Sequence, residues 1–189
     1  MSDELSSPRL STRLIEVLAV VLNLLFTFFY LRFNPVCYLF GIAGPIAFIY
    51  LCAVKKLYAE IVLQIVYIGL ALYGWLTLGQ SWPSDSWNAN THLLFIGGGV
   101  AATFISGNVL KKYTNAQLPF LDSTTTVFGI IAAWAMVNYV HENWLYFIAI
   151  NMLSIILYSK RKMYLGSAMF TLYLVMAIDG YFQLHWFYP

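Results

Sequence analysis

The chain has 189 residues, 61% of them hydrophobic and 10% charged, with a net charge of +2. So few charges cannot solvate the surface of a soluble domain of this size, and the apolar excess calls for lipid. The ten basic residues sit in short clusters between apolar runs, without a cationic stripe interleaved with aromatics, which argues against a nucleic-acid partner.

A helix needs roughly 20 apolar residues to cross the bilayer core. The first such window, about 13–32, follows Arg9 and Arg13 as a signal peptide would, but it is long and lacks a small-residue cleavage site, so it reads as a retained helix. The second, about 35–54, holds Cys37 and Cys52 in apolar surroundings with no CxxC and no nearby His, the pattern of buried thiols. The remaining windows are about 57–78, 92–110, 120–140, 143–159 and 163–184. The longest link, 79–91 with Pro83, Asp85 and Asn88, is only a surface loop, so 1–189 forms a single transmembrane domain.

Assigning the links to alternate sides places Arg9, Arg13, Lys55, Lys56, Lys111, Lys112, Lys160, Arg161 and Lys162 together and leaves Arg32 opposite. That asymmetry predicts a cytosolic N-terminus and an outer C-terminus. Trp82, Trp87, Trp144 and Trp186 fall on the outer side, where interfacial aromatics agree with it.

Sliding the chain on itself by 106 positions lays 56–75 over 162–181, so that Lys56, Tyr58, Tyr67 and Gly74 meet Lys162, Tyr164, Tyr173 and Gly180. The preceding helices correspond if a few residues are gapped, Asn34 over Asn143. Helices four spans apart point the same way, so the repeat is parallel. The sequence therefore predicts an all-α integral membrane protein with seven transmembrane helices in a 3+1+3 parallel-repeat arrangement, N-in and C-out. Repeat 1 covers about 13–78, a linker helix about 92–110, and repeat 2 about 120–184. Transporters built this way hold substrate near the midplane between their repeats.

The polar and aromatic residues of the spans give the candidate site. In helix 6, Trp144, Phe147 and Asn151 share a face, and an amide at that depth needs a partner because hydrocarbon offers none. Helix 3 places Gln64, Tyr67, Ala71 and Trp75 on one face, helix 5 adds Trp134 and Asn138, and helix 7 adds Tyr173, Ala177, Asp179 and Tyr181. Such walls suit a flat heterocycle held by stacking and by amide hydrogen bonds. Glu60 is expected to pair with Lys56 one turn away, and Asp122, before Ser123, Thr124 and Thr125, to cap helix 5. Asp179 has no basic residue near its depth and could attract a cation or reach water. His92, His141 and His185 lie at outer helix ends without metal-ligand spacing, and no metal, cofactor or catalytic motif is read. A membrane enzyme or a sensor of an aromatic or lipid ligand is the rival class to a transporter.

The segments LYAE...Q...YGW (57–75), ENW...N..S..LY (142–158) and MY...LY...GY...W (163–186) resemble the Pnu family of bacterial B-vitamin transporters over nearly the whole chain. The resemblance implies a homotrimer in the bacterial inner membrane working by facilitated diffusion, its vitamin trapped by a cytosolic kinase. Nicotinamide riboside members carry WxxWxxxN in helix 6, where Trp144 and Asn151 match and Phe147 replaces the second Trp. Their helix 3 ends in YGWYxW, and here it reads YGWLTL (73–78). These departures make thiamine the expected cargo, with nicotinamide riboside or riboflavin the alternative. The expected substrate-binding residues are Gln64, Tyr67, Trp75, Trp134, Asn138, Trp144, Phe147, Asn151 and Asp179.

Overall fold

The computed structural model describes residues 7–55, 58–78 and 87–187. Lys56, and with it the pairing expected for Glu60, lies outside the described residues, as do Trp82, Pro83 and Asp85 of the long link. Seven helices follow one another: α1 (Ser7–Leu31), α2 (Cys37–Lys55), α3 (Tyr58–Leu76), α4 (Ala89–Tyr113), α5 (Pro119–Val137), α6 (Asn143–Lys160) and α7 (Tyr164–Phe182).

Six of these are long and apolar enough to cross a membrane. The other, α6, has 18 residues, but Asn143, Asn151 and Ser154 break its apolar sequence, and all three are buried inside the bundle. A helix that turns amides inward needs fewer apolar residues, because its neighbours α5 and α7 cover it.

Neighbouring helices pack in order within α1–α3 and within α5–α7. Contacts of α3 with α5 and of α1 with α7 join the two sets, and α4 lies against α5. Helix α5 meets α3, α4 and α6, and it is rich in buried small residues, among them Gly129, Ala132, Ala133 and Ala135. Small side chains let helix backbones approach closely where lipid gives no hydrophobic drive to associate. Outward faces carry exposed Leu18, Ile65, Phe104 and Ile105, the surface that hydrocarbon solvates.

The two sets match along the backbone without a gap. Their helices begin at Cys37 and Asn143 and at Tyr58 and Tyr164, and end at Leu31 and Val137 and at Leu76 and Phe182. Each of these pairs is 106 residues apart. The α1–α2 and α5–α6 turns repeat the same bonds: Phe33 N–H to Tyr30 C=O and Tyr139 N–H to Met136 C=O, then Asn34 to Phe29 and Val140 to Ala135. Phe33 and Tyr139 both take a left-handed conformation, at φ 51° and 57°. The gap expected from Asn34 and Asn143 is absent, because the landmarks that truly correspond are Cys37 and Asn143, which no side-chain similarity reveals.

Asp122 does not cap α5. The helix starts at Pro119, whose missing N–H costs nothing in the first turn. One turn in, Asp122 Oδ2 receives Arg161 Nη2 at 2.5 Å from beyond the end of α6. Of the histidines, His92 Nδ1 lies 2.9 Å from the Tyr146 hydroxyl and His141 stacks on Tyr181.

After α7 the chain folds back on itself. Gln183 turns left-handed at φ 51°, and Asp179, fully buried, accepts the N–H groups of Trp186 at 3.0 Å and Phe187 at 3.2 Å. Arg32 Nε donates to the Phe187 carbonyl at 3.2 Å while its guanidinium covers Phe28. A carboxylate near a helix C-terminus opposes the helix dipole, and the two returning N–H groups offset that cost. Asp179→Ala leaves both N–H groups unpaired, at about 1–3 kcal/mol. It is expected to speed amide exchange at Trp186 and Phe187 at least tenfold in hydrogen–deuterium exchange, with helix content unchanged.

Candidate functional site

A cavity of about 140 Å³ lies between the two helix sets. Its walls come from α1, α2, α3, α5, α6 and α7 through a shared spacing. Tyr38, Gly41, Pro45 and Phe48 line it from α2; Gln64, Tyr67 and Ala71 from α3; Trp144, Phe147, Asn151 and Ser154 from α6; Phe170, Tyr173 and Ala177 from α7. Steps of three and four alternate, the spacing that keeps a stripe on one face of a helix.

That spacing decides which expected residues reach the cavity. Gln64, Tyr67, Trp144, Phe147 and Asn151 line it. Trp75 does not: stepping from Ala71 by three lands on buried Gly74, and Trp75, one position on, is 43% exposed. Trp134 follows cavity-lining Ala133 by one residue, about 100° around the helix, and faces outward at 39% exposure, stacked on Tyr73. Asn138 closes the end of α5, its Nδ2 donating to the Trp134 carbonyl at 2.7 Å. Asp179 is engaged by the folded-back tail and is not part of the cavity wall.

Residues not singled out from the sequence complete the walls. Asn23 and Thr27 enter from α1, where Asn23 Nδ2 donates to the Ala19 carbonyl at 2.8 Å and Thr27 Oγ1 to the Asn23 carbonyl at 3.4 Å. Pro45 has no N–H to give the Gly41 carbonyl one turn back, so the α2 ladder is interrupted at two cavity-lining positions. Glu60, buried at 4% exposure, lies at the opposite end from Tyr30, Tyr38 and Trp144. The proline inside an apolar window was the one visible signal; Asn23 and Thr27 look like ordinary helix residues until their neighbours are known.

Aromatic rings close the end near Trp144. The Tyr30 hydroxyl donates to the Met136 carbonyl at 3.0 Å, and the Tyr30 and Trp144 rings meet edge-on with centroids 6.0 Å apart. Trp144 in turn lies 6.4 Å from Phe147. Two glycines make room for this layer: a Cβ at Gly180 would lie 2.6 Å from the Trp144 ring, and one at Gly74 would lie 2.5 Å from the Tyr38 ring. Lower down, the Tyr67 hydroxyl would lie 3.0 Å from a Cβ at Gly129.

Polar chemistry is sparse and central. Gln64 Oε1 is buried with no hydrogen-bond partner among the described residues, and Asn151, on another wall, is 4% exposed. The arrangement suits a flat ligand, aromatic on its faces and hydrogen-bonding at its edges; the volume is close to that at which a protein cavity takes a single benzene-sized ring. Gly180→Ala forces Trp144 aside, an overpacking cost of about 1–3 kcal/mol. It is expected to lower the thermal midpoint of purified protein, whereas Gly69→Ala, with open space around its Cβ, is expected not to.

The family described as nicotinamide mononucleotide transporter matches residues 13–187. The nicotinamide riboside transporter PnuC of Neisseria mucosa is 27% identical over 162 residues, which are 76% of this chain and 61% of that protein. The chain thus spans less than two thirds of that relative's length. The crystal structure of the vitamin B3 transporter PnuC shares the fold, with a TM-score of 0.75 over 89% of this chain and 79% of that one, at 23% identity. With 13–187 matched, this chain belongs to the nicotinamide mononucleotide transporter family, the Pnu family that its helix motifs resemble.

Proposed function

We propose that the protein is a uniporter that lets nicotinamide riboside equilibrate across the bacterial inner membrane, a cytosolic kinase then phosphorylating and trapping it. One observation carries this reading: the Gln64 carbonyl oxygen, buried on the cavity wall and lacking a donor among the described residues. An acceptor left in that state costs about 1–3 kcal/mol, and a ligand's N–H or O–H group recovers it. Nicotinamide riboside has a carboxamide N–H₂ and ribose hydroxyls to offer, with a flat cationic ring for Tyr67, Trp144 and Phe147 to stack on. The thiamine expected from the departures at Phe147 and Leu76 is not supported: the matched family, the curated relative and the solved structure are all named for nicotinamide-type cargo.

The binding residues in this proposal are Gln64, Tyr67, Trp144, Phe147 and Asn151, joined by Asn23, Thr27 and Tyr173. The basic end of the bundle, marked by Lys111, Lys112, Lys160, Arg161 and Lys162, faces the cytosol. The two helix sets act as parallel repeats flanking linker helix α4, in a homotrimer. The matched backbone bonds 106 residues apart support the repeats.

Purified protein in liposomes is expected to equilibrate radiolabelled nicotinamide riboside without a sodium or proton gradient. Asn151→Ala and Gln64→Leu are each expected to weaken binding, read by tryptophan quenching, at least tenfold, the effect of losing about 1.4 kcal/mol. A gradient requirement would overturn uniport. Uptake of thiamine with none of nicotinamide riboside would overturn the cargo alone.

A further inference from the structure

Glu60 lines two cavities. One is the central cavity; the other, of about 730 Å³, opens at the basic end and is lined also by Tyr58, Lys112, Asp122, Arg161 and Met163. Glu60 is therefore part of the partition between them. It stands on α3, in the first helix set, whereas Asp122 on α5 and Arg161 after α6 belong to the second, so the three charges straddle the seam where α3 packs on α5. All three line the cavity at the basic end together.

This cluster is incompletely bonded. Arg161 offers a planar fork of donors that can grip both oxygens of one carboxylate, yet only Nη2 reaches Asp122 Oδ2. Arg161 Nη1 and Asp122 Oδ1 are buried without hydrogen-bond partners among the described residues, and so are Ser123 Oγ, Thr126 Oγ1 and the Tyr158 hydroxyl close by. Buried networks are normally satisfied. A network with spare donors and acceptors on both sides of a seam has a second arrangement within reach.

We infer that Glu60, Asp122 and Arg161 form the inner gate of the cavity, Arg161 closing it by bridging to Glu60 across the seam and opening it by turning both donors onto Asp122. Two carboxylates share one guanidinium, so the open state leaves Glu60 negative at the mouth, where a cationic ligand leaving the cavity replaces Arg161 as its partner. This last step, and the placing of the basic end in the cytosol, rest on the transport reading; the gate itself does not.

The two carboxylates then oppose each other, and their neutralised variants should move the gate in opposite directions. Ser154, buried on the cavity wall, becomes the reporter as Ser154→Cys in a Cys37→Ala, Cys52→Ala background. It is labelled with a membrane-impermeant methanethiosulfonate in inside-out and right-side-out vesicles. Glu60→Gln is expected to speed labelling at least tenfold from the basic end only, and Asp122→Asn, which frees Arg161 for Glu60, to slow it at least threefold from that end. Any other pair of directions overturns the gate. Where Glu60→Gln does not fold, Glu60→Asp, which withdraws the carboxylate by one methylene, takes its place with the same expectation. The assay contains no vitamin, so failure of every candidate cargo to be taken up would overturn the proposed function and leave this result standing.

Discussion

A polar side chain within the hydrocarbon has no water to fall back on, and it must find its partner inside the protein. In this chain that demand falls on Asn23, Thr27, Gln64, Asn151, Ser154 and Tyr173, drawn from four helices. Each is placed by a stripe of residues three and four apart on one face of its helix. Turning α3 by one residue would put Leu63 in the place of Gln64 and send Gln64 to the outward position of Ile65, now 56% exposed. Since an amide at the bilayer centre is far costlier than an exposed isoleucine, the polar residues set helix rotation as much as they offer binding chemistry.

The same constraint explains where the charges sit. Asp179 would be costly at its depth, and the chain meets the cost by bringing back the N–H groups of Trp186 and Phe187. Arg32 then serves the tail carbonyl that this turn leaves exposed. Asp122 and Arg161 satisfy each other at the opposite end, but with one bond where two are available. One end of the molecule is thus tied by a fully used carboxylate and the other by a partly used one, a difference in stiffness that follows from hydrogen-bond counting alone.

Much of this was legible in the sequence, and the failures have a common cause. Apolar windows found every helix to within a few residues, because hydropathy reflects a solvent that acts on each residue separately. Gln64, Tyr67, Trp144, Phe147 and Asn151 were found because polar and aromatic residues at helical spacing are conspicuous in apolar runs. Trp75 and Trp134 were expected at the cavity and face outward instead, each one position beyond a buried small residue, Gly74 and Ala133. Asn138 and Asp179 carry the right chemistry for a ligand but spend it on backbone groups brought near by a helix end and by a turn, which no spacing announces.

Aligned positions of the two halves also touch one another, and this locates the cavity. The Tyr30 hydroxyl bonds to the Met136 carbonyl, 106 residues along the chain. In a parallel repeat, corresponding residues meet near the axis that relates the halves, and both residues of this contact line the cavity. The glycine contacts follow the same rule, Tyr38 on Gly74 and Trp144 on Gly180 again differing by 106 in both partners. At the other end Glu60 aligns with Gly166, whereas Asp122 and Arg161 align with Glu16 and Lys55, again an acid and a base. The cavity therefore has aromatic rings toward one end and charged groups toward the other. One end relies on packing and the other on ion pairing, and a cation on the axis interacts with π faces at the first and with a carboxylate at the second.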